Sequence, residues 1–365
     1  MLHTAHPAEL GFSISPPPAP VCPPGAFPIA LVAPNHPHIT GMAAGLSQAG
    51  ATVKWLLPDD EPHAYKWFES LRKSFPQAQI AQSLDQILDD PETRLVAAAA
   101  ITDQRAALGL KCLHAGKDYF TDKGPFTTLD QLDQVKAAVQ KTGRKYFCYF
   151  SERLHSECSI LAGEMIRQGA IGRVVQVIGL GPHRLGPVNS RPDWFFRKKD
   201  YGGILCDIAS HQCEQFLFYA NTEEADILHA RVANVAHPDL PEFEDFGEAT
   251  MIAPNGASFH FRVDWLTPDG LRTWGDGRTF ILGTEGTIEL RKFIDVATDY
   301  GDNRLYFFNG SQEVNVQAKN TCGTPFFGQF ILDCLHRTEN AMTQEHVFAA
   351  ASLGLRCQQI ADAAR

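Results

Sequence analysis

From Ile29 onward the chain alternates short apolar runs with stretches of helical periodicity. The apolar runs are Ile29–Ala33, Thr52–Leu57, Leu95–Ile101 and Asp118–Thr121, and the helical stretches between them end near Gln48, cover His63–Ser74 and cover Gln104–Ala115. Thr128-Leu129-Asp130-Gln131 reads as a capping box that opens another helix, which leads to Lys145–Phe150. Strands that alternate with crossover helices build a parallel, doubly wound sheet, so residues 28–150 are expected to form a Rossmann-like α/β domain.

The pattern then changes. A helix over His155–Gln168 precedes β-type alternation at Val174–Gly179, Ile227–Val235, Ala249–Ile252, Ser258–Trp265, Thr279–Leu282, Thr287–Arg291 and Leu305–Phe308. Pro254-Asn255-Gly256, Asp269-Gly270 and Asn309-Gly310 supply turns between several of these, which predicts an antiparallel meander. Residues 151–343 therefore read as an α+β domain with one dominant sheet. Residues 344–365 read as a final amphipathic helix, roughly Gln344–Ala363, that packs back on the first domain. Residues 1–27 stand apart. Pro16, Pro17, Pro18, Pro20, Pro23 and Pro24 remove backbone donors and fix φ, giving an extended arm that either hangs free or wraps a neighbouring subunit.

Composition narrows the class. At 365 residues with 44% hydrophobic and 20% charged content, disorder, collagen and coiled-coil classes are excluded. The net charge of −10 and the lack of any basic run argue against nucleic acid and anionic membranes, and leave a small molecule as the expected partner. Nine scattered cysteines with no C-x-x-C pair fit a reducing compartment rather than a disulfide framework or zinc cage. With no apolar run long enough for a membrane span and no signal-like N-terminus, the expected location is cytoplasmic.

The segment richest in chemistry is Tyr201-Gly202-Gly203-Ile204-Leu205-Cys206-Asp207-Ile208-Ala209-Ser210-His211. Two glycines open a helix on which Asp207 and His211, four apart, share a face. A carboxylate beside an imidazole makes a proton-transfer pair. The same spacing also describes an acidic first turn followed by a structural histidine, and no neighbouring side chain completes a metal set. A second segment, Gly116-Lys117-Asp118-Tyr119-Phe120-Thr121-Asp122-Lys123-Gly124-Pro125, delivers Lys123 at the carboxyl end of a strand, where open α/β sheets bind ligands.

Together with Gly169-x-Ile171-Gly172-Arg173-Val174, Asp264-Trp265 and Gly283-Thr284-Glu285-Gly286, these motifs resemble the Gfo/Idh/MocA oxidoreductase family in order and spacing over about residues 28–365. The resemblance implies a Rossmann domain holding NAD or NADP, a C-terminal open-faced sheet that completes the substrate pocket, and a homo-oligomer, dimer or tetramer. It also implies hydride transfer between the nicotinamide and a secondary alcohol or ketone of a sugar- or cyclitol-like substrate. Carried over, Lys123 polarises the oxygen, Asp207 holds the imidazole and His211 exchanges the proton. Pro34, Asn35, His36, Asp59, Thr102 and Lys123 are expected at the cofactor.

The sequence departs from that family in the cofactor half. Ala33-Pro34-Asn35-His36-Pro37-His38 replaces the glycine-rich turn, with no glycine before Gly41. Leucine stands at position 57 where the ribose-binding acid is expected, with Asp59 and Asp60 just beyond, and Gly124 replaces the proline after the lysine. Asn35 is expected to tolerate the unusual backbone angles of the loop, and the His36/His38 pair is the alternative contact to phosphate, unless the segment is an ordinary loop. Candidate substrate contacts are Arg153, His183, Arg191 and Trp194, which combine planar hydrogen-bonding groups with an aromatic face. Two rival readings remain open: a lyase or hydrolase with a tightly held, internally recycled NAD, and a non-catalytic ligand-binding or assembly protein on the same fold.

Overall fold

The computed structural model describes residues 3–5, 7–14, 19–298 and 301–364. A short strand, β1 (His3–Ala5), precedes six that form one parallel sheet: β2 (Pro28–Pro34), β3 (Thr52–Leu56), β4 (Gln79–Ile80), β5 (Leu95–Ala99), β6 (Asp118–Asp122) and β7 (Tyr146–Tyr149). Their order is β4-β3-β2-β5-β6-β7. Helices α1 (His38–Gln48), α2 (Ala64–Ser74), α3 (Leu84–Asp89), α4 (Arg105–His114) and α5 (Leu129–Thr142) make the crossovers. β5 and β6 are buried along their whole length, as strands covered by helices on both faces must be. The chain order reverses between β2 and β5, so the ligand crevice of this sheet opens at their carboxyl ends.

The capping box at α5 forms in part. Thr128 Oγ accepts from the Gln131 amide at 3.2 Å, but the Gln131 side chain turns to the Thr127 amide at 2.8 Å instead of closing on residue 128. β4 and α3 lie in a stretch where the sequence pattern predicts neither.

The second sheet contains β8 (Val174–Pro182), β9 (Asp226–Ala233), β10 (Phe246–Ile252), β11 (Ser258–Asp264), β12 (Arg278–Gly283), β13 (Gly286–Arg291), β14 (Arg304–Asn309) and β15 (Glu313–Gln317). Its order is β1-β15-β14-β13-β12-β8-β11-β10-β9. The pairing is antiparallel except for β8 with β11 and β1 with β15. Helix Ala209–Ala220 covers one face, with Phe216 stacked on Phe259 of β11 at 4.6 Å.

The N-terminal segment lies along its own chain. β1 extends the second sheet, Ala5 and Leu10 are buried, and Phe12 meets Phe307 edge-on at 6.1 Å. Farther on, the Val21 amide bonds the Ala49 carbonyl at 2.9 Å, so the segment runs from the second sheet back to the first. Pro16, Pro17 and Pro18 fall outside the described residues. Helix Gln344–Ala363 forms where the sequence predicts it and touches both halves. Gln344 brackets Tyr146 of β7 through its amide N–H (2.8 Å) and carbonyl (3.1 Å), and Gln358 accepts from the Leu205 amide at 3.0 Å.

Candidate active site between the two sheets

The first crevice wall is the end of β2. Ala33 takes a left-handed φ of 46° and bulges out of the β2–β5 register, so an alanine occupies a backbone conformation that glycine normally supplies. Asn35, expected to carry that strain, does not; its amide bonds the carbonyls of Ala33 (2.9 Å) and Ala99 (3.2 Å), closing the turn. Pro34 and Thr102 are buried beside it. Asn35 Nδ2 reaches Asp59 at 3.3 Å, while its buried Oδ1 has no partner among the described residues.

A cavity of about 270 Å³ lies at these strand ends, lined by Val32, Ala33, Leu57, Pro58, Asp59, Leu84, Gln104, Leu108 and Lys111. It offers apolar walls and a carboxylate at its edge. At α1, which begins immediately after the loop, there is no side-chain cap and no acidic residue in the first turn. A slot with apolar walls beside an uncapped helix N-terminus fits an adenosine diphosphate moiety, despite the missing glycines.

The second wall is the end of β6. Lys123 is 3% exposed and its Nζ bonds the Asp207 carboxylate directly. Burial raises the Asp207 carboxyl, but the Lys123 ammonium outweighs it and holds the group below the usual carboxylate range. Arg105 braces the turn from behind, donating to the carbonyls of Ala100 (2.8 Å), Lys123 and Gly124. Gly124 has a φ of 68°, and a Cβ there would stand 3.1 Å from the Cys206 carbonyl. Proline cannot adopt that angle, so this glycine changes the path of the turn as well as its stiffness.

Asp207 therefore does not orient His211. Ile208 keeps helical angles between Ile204–Asp207 and Ala209–Ala220, but the Asp207 carboxylate is spent on Lys123 from the other half of the chain. The buried Nδ1 of His211 has no hydrogen-bond partner among the described residues. Burial pushes its pKa down to about 3 against the opposing charge of Glu152, so the imidazole is neutral at pH 7. Glu152 itself is held by Lys292 (2.7 Å) and Gln212 (2.9 Å), and its other oxygen has no hydrogen-bond partner among the described residues.

A second cavity, about 220 Å³, is lined by His36, Pro37, His38, Lys123, His183, Arg184, Arg191, Trp265 and Trp274. The His38 ring lies 6.4 Å from that of His211. His183 sits between Trp274, tilted at 4.5 Å, and Trp265, edge-on at 5.2 Å, and burial lowers its pKa to about 4. Arg191 lies over Phe195 and Trp265 and donates to the carbonyls of Leu185 and Arg184.

Two expected contacts are elsewhere. Arg153 is ion-paired to buried Glu214 and stacked 3.9 Å from the Phe218 ring, lining a different cavity with Arg167 and Gln329. Trp194 is buried against Phe195 and does not line the cleft. Trp265 and Trp274 provide the aromatic surface instead. Trp265 ends the run that the sequence reads as a strand and Trp274 follows in the next loop, and nothing local to either indicates which face it turns to the cleft.

Residues 56–150 match the family described as oxidoreductase, NAD-binding Rossmann fold, and residues 160–289 match the GFO/IDH/MocA C-terminal domain. A crystal structure of a candidate oxidoreductase from Erwinia carotovora atroseptica SCRI1043 is 44% identical, covering 92% of this chain and 98% of its own with a TM-score of 0.87. The chain belongs to the Gfo/Idh/MocA oxidoreductase family. The first βα unit lies ahead of both matched segments, and it is the unit whose glycine turn is rebuilt. D-xylose dehydrogenase of Paenarthrobacter nicotinovorans is 28% identical over 138 residues, which is 37% of this chain and 35% of that enzyme. The chain thus aligns to about a third of that curated relative. An aldose-aldose oxidoreductase from Caulobacter crescentus, complexed with glycerol, shares the fold at 18% identity, with a TM-score of 0.75 over 93% of this chain and 98% of its own. No helix among the described residues is long and apolar enough to cross a membrane.

Proposed function

We propose that this protein is an NAD(P)-dependent oxidoreductase acting on a secondary alcohol or carbonyl of a sugar- or cyclitol-like substrate. The observation that carries the reading is the placement of a neutral His211, whose Nδ1 has no hydrogen-bond partner among the described residues, and of the Lys123–Asp207 pair beside a cleft walled by Trp265, Trp274 and His183. When bound, the dinucleotide supplies or takes the hydride. Asp59, Asn35 and the N-terminus of α1 would hold its adenosine and phosphates. His211 accepts the hydroxyl proton, for which it must begin neutral. Lys123 directs its ammonium at the reacting oxygen, and Asp207 fixes that ammonium in place. The indole faces of Trp265 and Trp274 pack on the C–H surface of the ring while Arg191 and His183 meet its hydroxyls. The D-xylose dehydrogenase and the aldose-aldose oxidoreductase support this substrate class.

The Asp59 carboxylate in the first cavity disfavours a 2′-phosphate, so NADH is expected to bind more tightly than NADPH, and Asp59→Ala should narrow the difference. Fluorescence titration of the purified protein, after denaturation of a parallel sample to release any carried nucleotide, checks this. Absence of both released and titrated dinucleotide would sink the oxidoreductase reading.

The outer face of the second sheet exposes Leu228, Ile252, Leu282 and Phe308, and we assign it as the surface through which the protein self-associates. Light scattering should give a dimer or tetramer mass that falls on Leu282→Asp. A monomer at micromolar concentration would exclude the assignment.

A further inference from the structure

The rebuilt loop brings together three side chains that take no part in the proton and hydride steps, His36 among them although the sequence reading puts it at the cofactor. His36, in the β2–α1 loop, and His38, the first residue of α1, both turn Nδ1 onto Asp122 at the end of β6. The separations are 3.0 Å to Oδ2 and 2.7 Å to Oδ1. One ligand-capable atom from each residue falls within a 4.8 Å cluster, the only such group of three found among the described residues. His38 and Asp122 are 84 positions apart, so no local spacing announces them.

We propose that His36, His38 and Asp122 form a site for one divalent first-row transition-metal ion of the zinc class, with its remaining coordination positions open to the cleft. Two imidazole nitrogens and a carboxylate are the protein ligands of an open, zinc-type site, and the same donors suit iron(II) or cobalt(II). Ligand atoms about 2.0–2.2 Å from one ion, at angles between square and tetrahedral, stand roughly 3.0–3.5 Å apart. The 3.0 Å from His36 to Oδ2 meets that, the 2.7 Å from His38 to Oδ1 needs a spread of a few tenths of an ångström, and the three ligand atoms, within 4.8 Å of one another, close onto one ion by rotation of the partly exposed imidazoles.

Metal ligation requires neutral imidazoles and an ionised carboxylate, so an ion entering the cluster displaces the protons that the two His–Asp hydrogen bonds share.

The surroundings leave room for that charge. Lys123 is neutralised by Asp207, and Arg105 reaches Asp122 only at 3.4 Å, with its shorter bonds going to carbonyls. The side chains of His36 and His38 are 16% and 27% exposed and line the cleft, whereas Asp122 is fully buried. A bound ion therefore has protein on one side and the ligand cavity on the other.

The test uses the full chain, stripped with chelator, dialysed and titrated with cobalt(II) alone. The expected result is one equivalent per chain with visible ligand-field absorption, displaced by zinc(II). His38→Gln should weaken binding by more than about 100-fold, beyond what losing an outer hydrogen-bond partner costs. His36→Gln, checked for folding by circular dichroism, should do the same. Absence of cobalt bands, or binding that survives both substitutions, overturns the proposal and leaves the cluster as a hydrogen-bonded clamp. NADH binding is measured on the same samples, so failure of the metal site and failure of the oxidoreductase reading give different results.

Discussion

His211→Ala is expected to lower turnover by about 10²–10⁴-fold, the range that a positioned acid–base group contributes, while NADH affinity stays within about twofold. The separation follows from the structure. His211 is on helix Ala209–Ala220 of the second half, whereas the dinucleotide cavity is lined by residues of β2, the β3 end, α3 and α4. Steady-state rates on a polyol panel and fluorescence titration with NADH measure the two effects. Equal loss of both would remove His211 from catalysis and make it part of the cofactor site. Unchanged turnover would remove it from the mechanism altogether.

Lys123→Met should be the most damaging substitution for stability at neutral pH, by about 3–5 kcal/mol, because it leaves the buried Asp207 carboxylate without its counter-ion. The pH dependence identifies the cause. In the native protein Asp207 titrates below its unfolded value, so its contribution is present above the ordinary carboxylate range and is lost as pH falls through the folded value. Without the ammonium, burial lifts the folded value above the unfolded one. The variant then binds more protons folded than unfolded, and its stability rises as pH falls from 7.5 toward 5. Urea denaturation at the two pH values should show the variant gaining stability toward pH 5 while the native protein shows almost no change from this group once shared titrations are subtracted. The double variant Lys123→Met/Asp207→Leu should recover most of the loss. If the single variant is no more stable at pH 5 relative to the native protein than at pH 7.5, the ion pair is not what holds this turn.

The two-sheet architecture is legible in the chain because hydrophobic period is a local property. Strand-helix alternation from Ile29 to Phe150 places β2, β3, β5, β6 and β7 within a few residues of where they occur. β4 has two exposed residues, Gln79 and Ile80, and so leaves no apolar run to read. β1 could not be inferred either, since its only partner, β15, lies at the far end of the sequence. In the site, Lys123 and His211 stand out by strand-end position and motif. Asp207 was visible but its partner was not: four-residue spacing on a helix points to His211, while the actual counter-ion arrives from β6 in the other half. Glu152–Lys292 and the His36–Asp122–His38 cluster are likewise products of long-range folding. Arg153 and Trp194 have the right chemistry for a sugar site. Stronger local partners, Glu214 and Phe195, claim them instead.

The grip of Gln344 on Tyr146 bears on how the protein is made. β7 ends the parallel sheet, and the group that satisfies both the amide and the carbonyl of Tyr146 comes from a residue 198 positions later. While the ribosome is still translating the second half, the nucleotide-binding half has already emerged with that edge bare, able to pair with any extended segment nearby. Production of the first half alone is therefore the form of this protein most exposed to aggregation, and completion of the last helix ends that exposure.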